Sequence, residues 1–343
     1  MNNIVKQKSN IDIFDIAKFI LSFFIVAIHT ELFPSVLYPW LRIAVPLFFI
    51  ISSYLFFSKL NKTDTTNHNG ILKKFVKRNL VLYGIWFIIL LPFTVYVRKE
   101  WFEEGIFKGL LYSVRGLIFG STFRASWYIM ALVISVSIIY FLSKKISNIV
   151  ILILSSLVYV VCCLTSNYYN LVEMSSLSFL CSASDKVFGG MSTSFCSALF
   201  WIVIGKIFVE KNCVCLKRKA LALCTVAGCI SLFAEYKILE IFVKPTVNDT
   251  YFSLMFVCPC IFSLLLLLKN KKIQGASWAR KSSTITYMMH CEIAMCVSFV
   301  LGRFHISNSL LLFASTSVIC VIISYCIIKL SETNKFAFLK KLM

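Results

Sequence analysis

The chain has 343 residues, 59% of them hydrophobic and only 15% charged, with a mean hydropathy of +0.84. That balance excludes a water-soluble globular protein, and the apolar runs of roughly 17 to 20 residues that recur along it suit bilayer-crossing helices, not the shorter alternating strands of an outer-membrane barrel. The formal charge of +20, from 35 Lys and Arg against 15 Asp and Glu, would point to nucleic acid in a soluble protein; beside apolar spans it marks the cytoplasmic side instead, so no nucleic-acid partner is expected.

The first apolar stretch runs from about Ile11 to Thr30 and carries Asp12, Asp15, Lys18 and His29. A cleavable signal peptide has an uncharged core and a small-residue cleavage site; this stretch has neither, so it is expected to stay as the first span. Further spans are predicted at about 41–58, 79–97, 126–142, 148–164, 194–209, 219–235, 251–268, 284–302 and 309–329. The expected fold is thus an all-α integral membrane protein of about ten transmembrane helices, forming a single polytopic domain over residues 1–343.

Charge placement supports an even count. With the N-terminus inside, the inner segments hold 24 basic residues against Asp64, Glu210 and Glu332, whereas the outer segments hold nine basic and nine acidic. Lys and Arg are retained on the cytoplasmic side during insertion, so both termini are expected in the cytoplasm. The longest outer segments are about 98–125 and 165–193; the first contains an amphipathic stretch, Ile106 to Phe119, suited to the interface. Most of the 14 cysteines lie in apolar segments and read as small hydrophobes. Cys213 and Cys215 have neither a second pair nor a nearby histidine, and no metal is expected.

Ionisable side chains inside spans cost about 2.5 to 3.5 kcal/mol each on insertion scales and ask for a partner, a cavity or a task. Asp15 and Lys18, three apart, are within pairing reach on one helix face. Lys18 and His29 are eleven apart, which brings them within roughly 20° of one direction, separated by about 16 Å of rise. A cation at one end and an imidazole at the other suit a reaction whose substrates arrive from opposite sides: the cation holds a phosphorylated donor and the histidine acts as base. An interfacial ion pair with a snorkelling lysine, and an interfacial histidine, explain the same residues.

In the second span, Arg42 at the outer end could stabilise a developing anion, pair with a carboxylate or anchor the interface, and Pro46 could open the helix and free backbone groups for Ser52 to satisfy. Lys74, Lys77 and Arg78 precede the third span; they suit the phosphates of a donor such as coenzyme A, or simply set topology. Trp127 and Tyr128 open the fourth span as belt aromatics. His290 and Glu292 fall deep in the ninth, as functional groups or as a buried polar pair linking helices.

In order along the chain, Lys18-x10-His29, Arg42-x-x-Val45-Pro46-x-Phe48-Phe49-x-x-Ser52, Lys74-x-x-Lys77-Arg78 with Tyr83 and Trp86, Ser126-Trp127-Tyr128 and Tyr287-x-x-His290 resemble the acyltransferase-3 family of bacterial integral membrane proteins. Ser53 stands where that family usually has a glycine. The resemblance implies a protein of the bacterial cytoplasmic membrane in which His29 is the base or transient acyl acceptor, with Lys18, Asp15 and Arg42 beside it. It further implies that Lys74, Lys77 and Arg78 serve cytoplasmic acyl-CoA, with acetyl the expected group, and that Ser52, Trp127, Tyr128, His290 and Glu292 bind substrate or hold the site. The acceptor would be a hydroxyl on an envelope saccharide or a lipid-linked acceptor, delivered if necessary by a separate extracytoplasmic transferase. Arg42 to Tyr54, with Glu235 and Asp249, is also similar to the membrane half of the membrane-bound serine racemases of vancomycin-resistant enterococci. That likeness implies serine uptake beside a separate soluble racemase.

Overall fold

The computed structural model describes residues 11–119, 126–211, 216–245, 247–268 and 272–343. The expectation placed on Cys213 and Cys215, and part of the charge count, lie outside these residues. The described residues form helices and connecting turns without a strand. In chain order the α-helices are α1 (Asp12–His29), α2 (Pro34–Leu41), α3 (Ala44–Asn61), α4 (His68–Ile89), α5 (Leu91–Val97), α6 (Ile106–Phe119), α7 (Trp127–Leu142) and α8 (Asn148–Leu164). They continue with α9 (Tyr169–Glu173), α10 (Ser178–Ala183), α11 (Phe195–Lys211), α12 (Arg218–Phe242), α13 (Leu254–Leu267), α14 (Ala276–Arg303) and α15 (Ser309–Ser331).

Each apolar window read from the sequence falls on one of these helices except 79–97, which is divided between α4 and α5, and the amphipathic stretch is α6, with the bounds expected of it. Among the described residues four stretches are long and apolar enough to cross a bilayer: Val36–Asn61, Arg218–Phe242, Ala276–Arg303 and Ser309–Ser331. A fifth is possible if Thr65–Ile89 and Leu91–Val97, bent by 70° at Leu90, act as one broken span. Pro92 accounts for that bend: it lacks an N–H for the helix ladder and disfavours helical backbone at Leu91, and the hydroxyl of Thr94 then donates to the Leu90 carbonyl at 3.1 Å. Pro46, by contrast, does not open its helix. It is the third residue of α3, where no intrahelical N–H is required, and the chain turns at Arg42 and Ile43 instead.

The core is centred on α3, whose residues are almost all buried. It packs most closely on α11, and the reason is one glycine. A Cβ at Gly205 would lie 2.6 Å from both the Ile50 carbonyl oxygen and the Ser53 Cβ, so only glycine permits that separation. The close approach at Ser53 is therefore kept by a glycine on the facing helix, and the Ser53 hydroxyl donates to the Ile202 carbonyl at 2.5 Å. α1 lies against α14 and α3, α14 against α15, α11 against α7 and α8, and α12 against α13. A carboxylate fixes the start of α13: Glu235 accepts the N–H groups of Phe252 and Ser253, both at 2.8 Å, and the Tyr168 hydroxyl at 3.0 Å. The α1–α3–α7–α14 group carries the polar residues that follow.

Candidate active site

α1 begins with Asp12 and Asp15 in its first turns, where carboxylates favour the positive end of a helix dipole. Asp12 accepts the Ile273 N–H at 2.9 Å, tying α1 to the segment before α14. Asp15 is buried, and its partner is Arg280 of α14 at 3.5 Å rather than Lys18. Lys18 turns the other way and donates its ammonium to Ser52 Oγ on α3 at 2.9 Å. The expected Asp15–Lys18 pairing is thus replaced by two contacts that each join α1 to a different neighbour.

Ser52 is the hub of this inner cluster. Its hydroxyl lies 3.0 Å from the Tyr128 hydroxyl of α7, which donates to the Phe48 carbonyl at 3.2 Å. With Tyr128 committed as that donor, the Ser52 hydrogen points to Tyr128 and the Ser52 lone pairs face Lys18. The charges of Asp15, Arg78 and Arg280 also act on Lys18, and that of Arg78 on Tyr128. Lys18, Arg78 and Arg280 thus bring three positive charges near one carboxylate and two hydroxyls, donors of the kind that suit phosphate or carboxylate oxygens.

The basic triplet on α4 divides accordingly. All three are exposed; the charge of Arg78 reaches Lys18, whereas Lys77, with Lys73, Leu80 and Phe141, lines an open groove between α4 and α7. Trp127 packs its ring 5.8 Å from Phe49, as a wall to the same helix group.

At the other end of α1, His29 is exposed and its ring centroid lies 5.0 Å from that of the buried His290 on α14. Nδ1 of His290 lies 2.8 Å from the Tyr287 carbonyl one turn back. A carbonyl only accepts, so Nδ1 carries the proton and Nε2 the lone pair. Nε2 faces Cys291 Sγ at 3.3 Å. Aromatic rings join the two ends: Tyr287 packs on Tyr128 with centroids 5.4 Å apart and on His290 at 6.0 Å. Lys18, Ser52, Tyr128, Tyr287, His290 and His29 thus form a continuous polar and aromatic line along α1. Glu292 is buried on the same helix as His290, two residues on.

Arg42 stands apart from both clusters. It pairs with Asp249 at 2.9 Å, donates to the Tyr38 hydroxyl and stacks over that ring at 4.4 Å; Asp249 also accepts the Ser192 hydroxyl at 3.3 Å. The structure therefore gives Arg42 the carboxylate partner among its expected roles. Arg280, Ser192 and Cys291 were not singled out in the sequence. A buried carboxylate at Asp15 asks for a cation, which is the one feature that could have led to Arg280.

Residues 11–329 match the acyltransferase domain that defines the acyltransferase-3 family. The chain belongs to that family. With its long apolar helices, membership makes this a membrane protein with an acyltransferase domain. Two curated relatives, both called amino-acid racemase and both from Enterococcus faecalis, are similar to it. One is 24% identical over 311 residues, 85% of this chain and 40% of its own; the other is 25% identical over 331 residues, 90% of this chain and 44% of its own. The chain thus spans less than half the length of these relatives. No solved structure matches it.

Proposed function

We propose that this protein is a ten-span acyltransferase of the bacterial cytoplasmic membrane that moves an acyl group, acetyl in the first instance, from cytoplasmic acyl-CoA to a hydroxyl on an extracytoplasmic envelope saccharide. The observation that carries the proposal is the line of side chains along α1, cationic at Lys18 and imidazole-bearing at His29. The family match supports acyl transfer in general. Lys18, Arg78 and Arg280 would take the phosphates of the donor, with Lys74 and Lys77 at the approach and the acyl end directed along α1 toward His29. His29, exposed at the far end, would take the proton of the acceptor hydroxyl as that oxygen attacks the acyl carbonyl; the carbon–sulfur bond then breaks, coenzyme A leaves as its thiol with that proton, and His290 would hold the His29 ring.

Inverted membrane vesicles given acetyl-labelled coenzyme A test this directly. Label is expected to reach envelope material with the wild type and to vanish with His29→Ala; unchanged labelling in the variant would remove His29 from the mechanism.

A second reading rests on the relatives named amino-acid racemase and on the Arg42–Asp249–Ser192 cluster. An arginine and a carboxylate side by side offer counter-charges to an amino acid's carboxylate and ammonium, so this chain would admit serine to a soluble racemase. Serine uptake abolished by Arg42→Ala, with no acyl label in any sample, would favour it.

A further inference from the structure

His29, His290 and Cys291 come together at the α1–α14 contact with their ligating atoms all within 4.8 Å of one another. Two imidazoles and a thiol are the ligand types of zinc and its neighbours in the transition series, not of magnesium or calcium, which select oxygen. The Cys291–His290 distance is that of two ligands on one ion. Zn–S of about 2.3 Å and Zn–N of about 2.0 Å at tetrahedral angles put sulfur and nitrogen about 3.5 Å apart, and Cys291 Sγ lies 3.3 Å from His290 Nε2.

His290 is also prepared for such a role. Its Nδ1–H is committed to the Tyr287 carbonyl at 2.8 Å, which fixes the tautomer and aims the Nε2 lone pair at the shared space, as outer-shell carbonyls do for metal-bound histidines. His290 and Cys291 are nearly inaccessible, at 1% and 3%, while His29 is exposed. An ion therefore has an entry side, two buried ligands and one ligand at the mouth, with the fourth position left to water.

We propose that His29, His290 and Cys291 bind one zinc-class divalent ion. On binding, the thiol proton of Cys291 leaves to solvent, the thiolate and His290 Nε2 turn onto the ion, and His29 closes over it by a side-chain rotation. α1 and α14, already joined at the Asp15 end by the Asp15–Arg280 ion pair, would then also be tied at the His29 end. Because His29 is also the proposed base, occupancy and transfer compete for one imidazole; that consequence rests on the acyltransferase reading, whereas ion binding does not.

Binding is measured on the full-length protein in detergent, stripped with chelator and then titrated with ZnCl2 against a fluorescent zinc chelator. One Zn2+ per chain is expected. Cys291→Ser and His29→Ala should weaken it by about tenfold or more, while Cys296→Ser, an exposed cysteine on the same helix, leaves it unchanged. Co2+ offered to the stripped wild type supplies a check that does not depend on any variant folding: a thiolate-to-cobalt charge-transfer band is expected, and Cys291→Ser should lack it. Absence of stoichiometric zinc and of that band in the wild type would overturn the site, as would equal binding by wild type and both ligand variants. A zinc-loaded protein that fails to transfer label, with transfer restored by chelator, would confirm the competition; label transfer unaffected by bound zinc would overturn the competition alone.

Discussion

Ser52 shows how a single hydroxyl organises this protein. It accepts from Lys18 and faces Tyr128, so its loss leaves a buried ammonium and a buried phenol each short of a partner. Ser52→Ala is expected to cost about 1 to 3 kcal/mol, read as a fall in thermal midpoint in detergent. Tyr128→Phe, which removes one hydroxyl and keeps the ring against Tyr287, should cost about 1 kcal/mol. For catalysis the contrast lies between the ends of α1: His29→Ala should lower transfer about 10²- to 10⁴-fold with little change in donor affinity, while Lys18→Ala should raise the apparent KM for acyl-CoA. Equal effects of both on KM would contradict the division of labour drawn here.

At the scale of elements, the α3–α11 contact is the most sensitive joint. Gly205→Ala would drive a methyl into the Ile50 carbonyl, which cannot turn aside as a flexible side chain does, and is expected to destabilise by about 1 to 3 kcal/mol with loss of folded yield. Glu235 holds the start of α13 through two backbone N–H groups and Tyr168. Glu235→Gln keeps the shape but removes the charge that strengthens those bonds, so a loss of about 1 kcal/mol in thermal stability is expected; a larger loss in Glu235→Ala would show that the oxygens themselves matter. The bend at Leu90 belongs to this scale too, since Pro92 sets it locally.

At the scale of the whole molecule, the charge asymmetry makes a topological prediction. Reporter fusions at the N- and C-termini should both score as cytoplasmic, and a fusion in the 98–125 segment as external. An external C-terminus would refute the even span count.

Hydropathy and local rules were enough to place the long apolar helices, though not the short α2, α9 and α10 or the break between α4 and α5, because a chain that must satisfy every backbone group inside a bilayer has few alternatives to a helix. Lys18 and His29 were legible as a pair because eleven residues of one helix fix their relative direction. Their partners were not. Asp15 meets Arg280, and His29 meets His290, across a chain separation of more than two hundred residues, and no local pattern encodes which helices become neighbours. Cys291 read as one more small apolar residue, since a thiol in a run of hydrophobes is chemically silent until a histidine lone pair faces it. Composition and spacing determined that this is a helical membrane protein with ionisable side chains on its first helix; only the packing of α1 against α3, α7 and α14 decided which side chains share a site, because the contact energies that choose neighbours are spread over the whole buried surface.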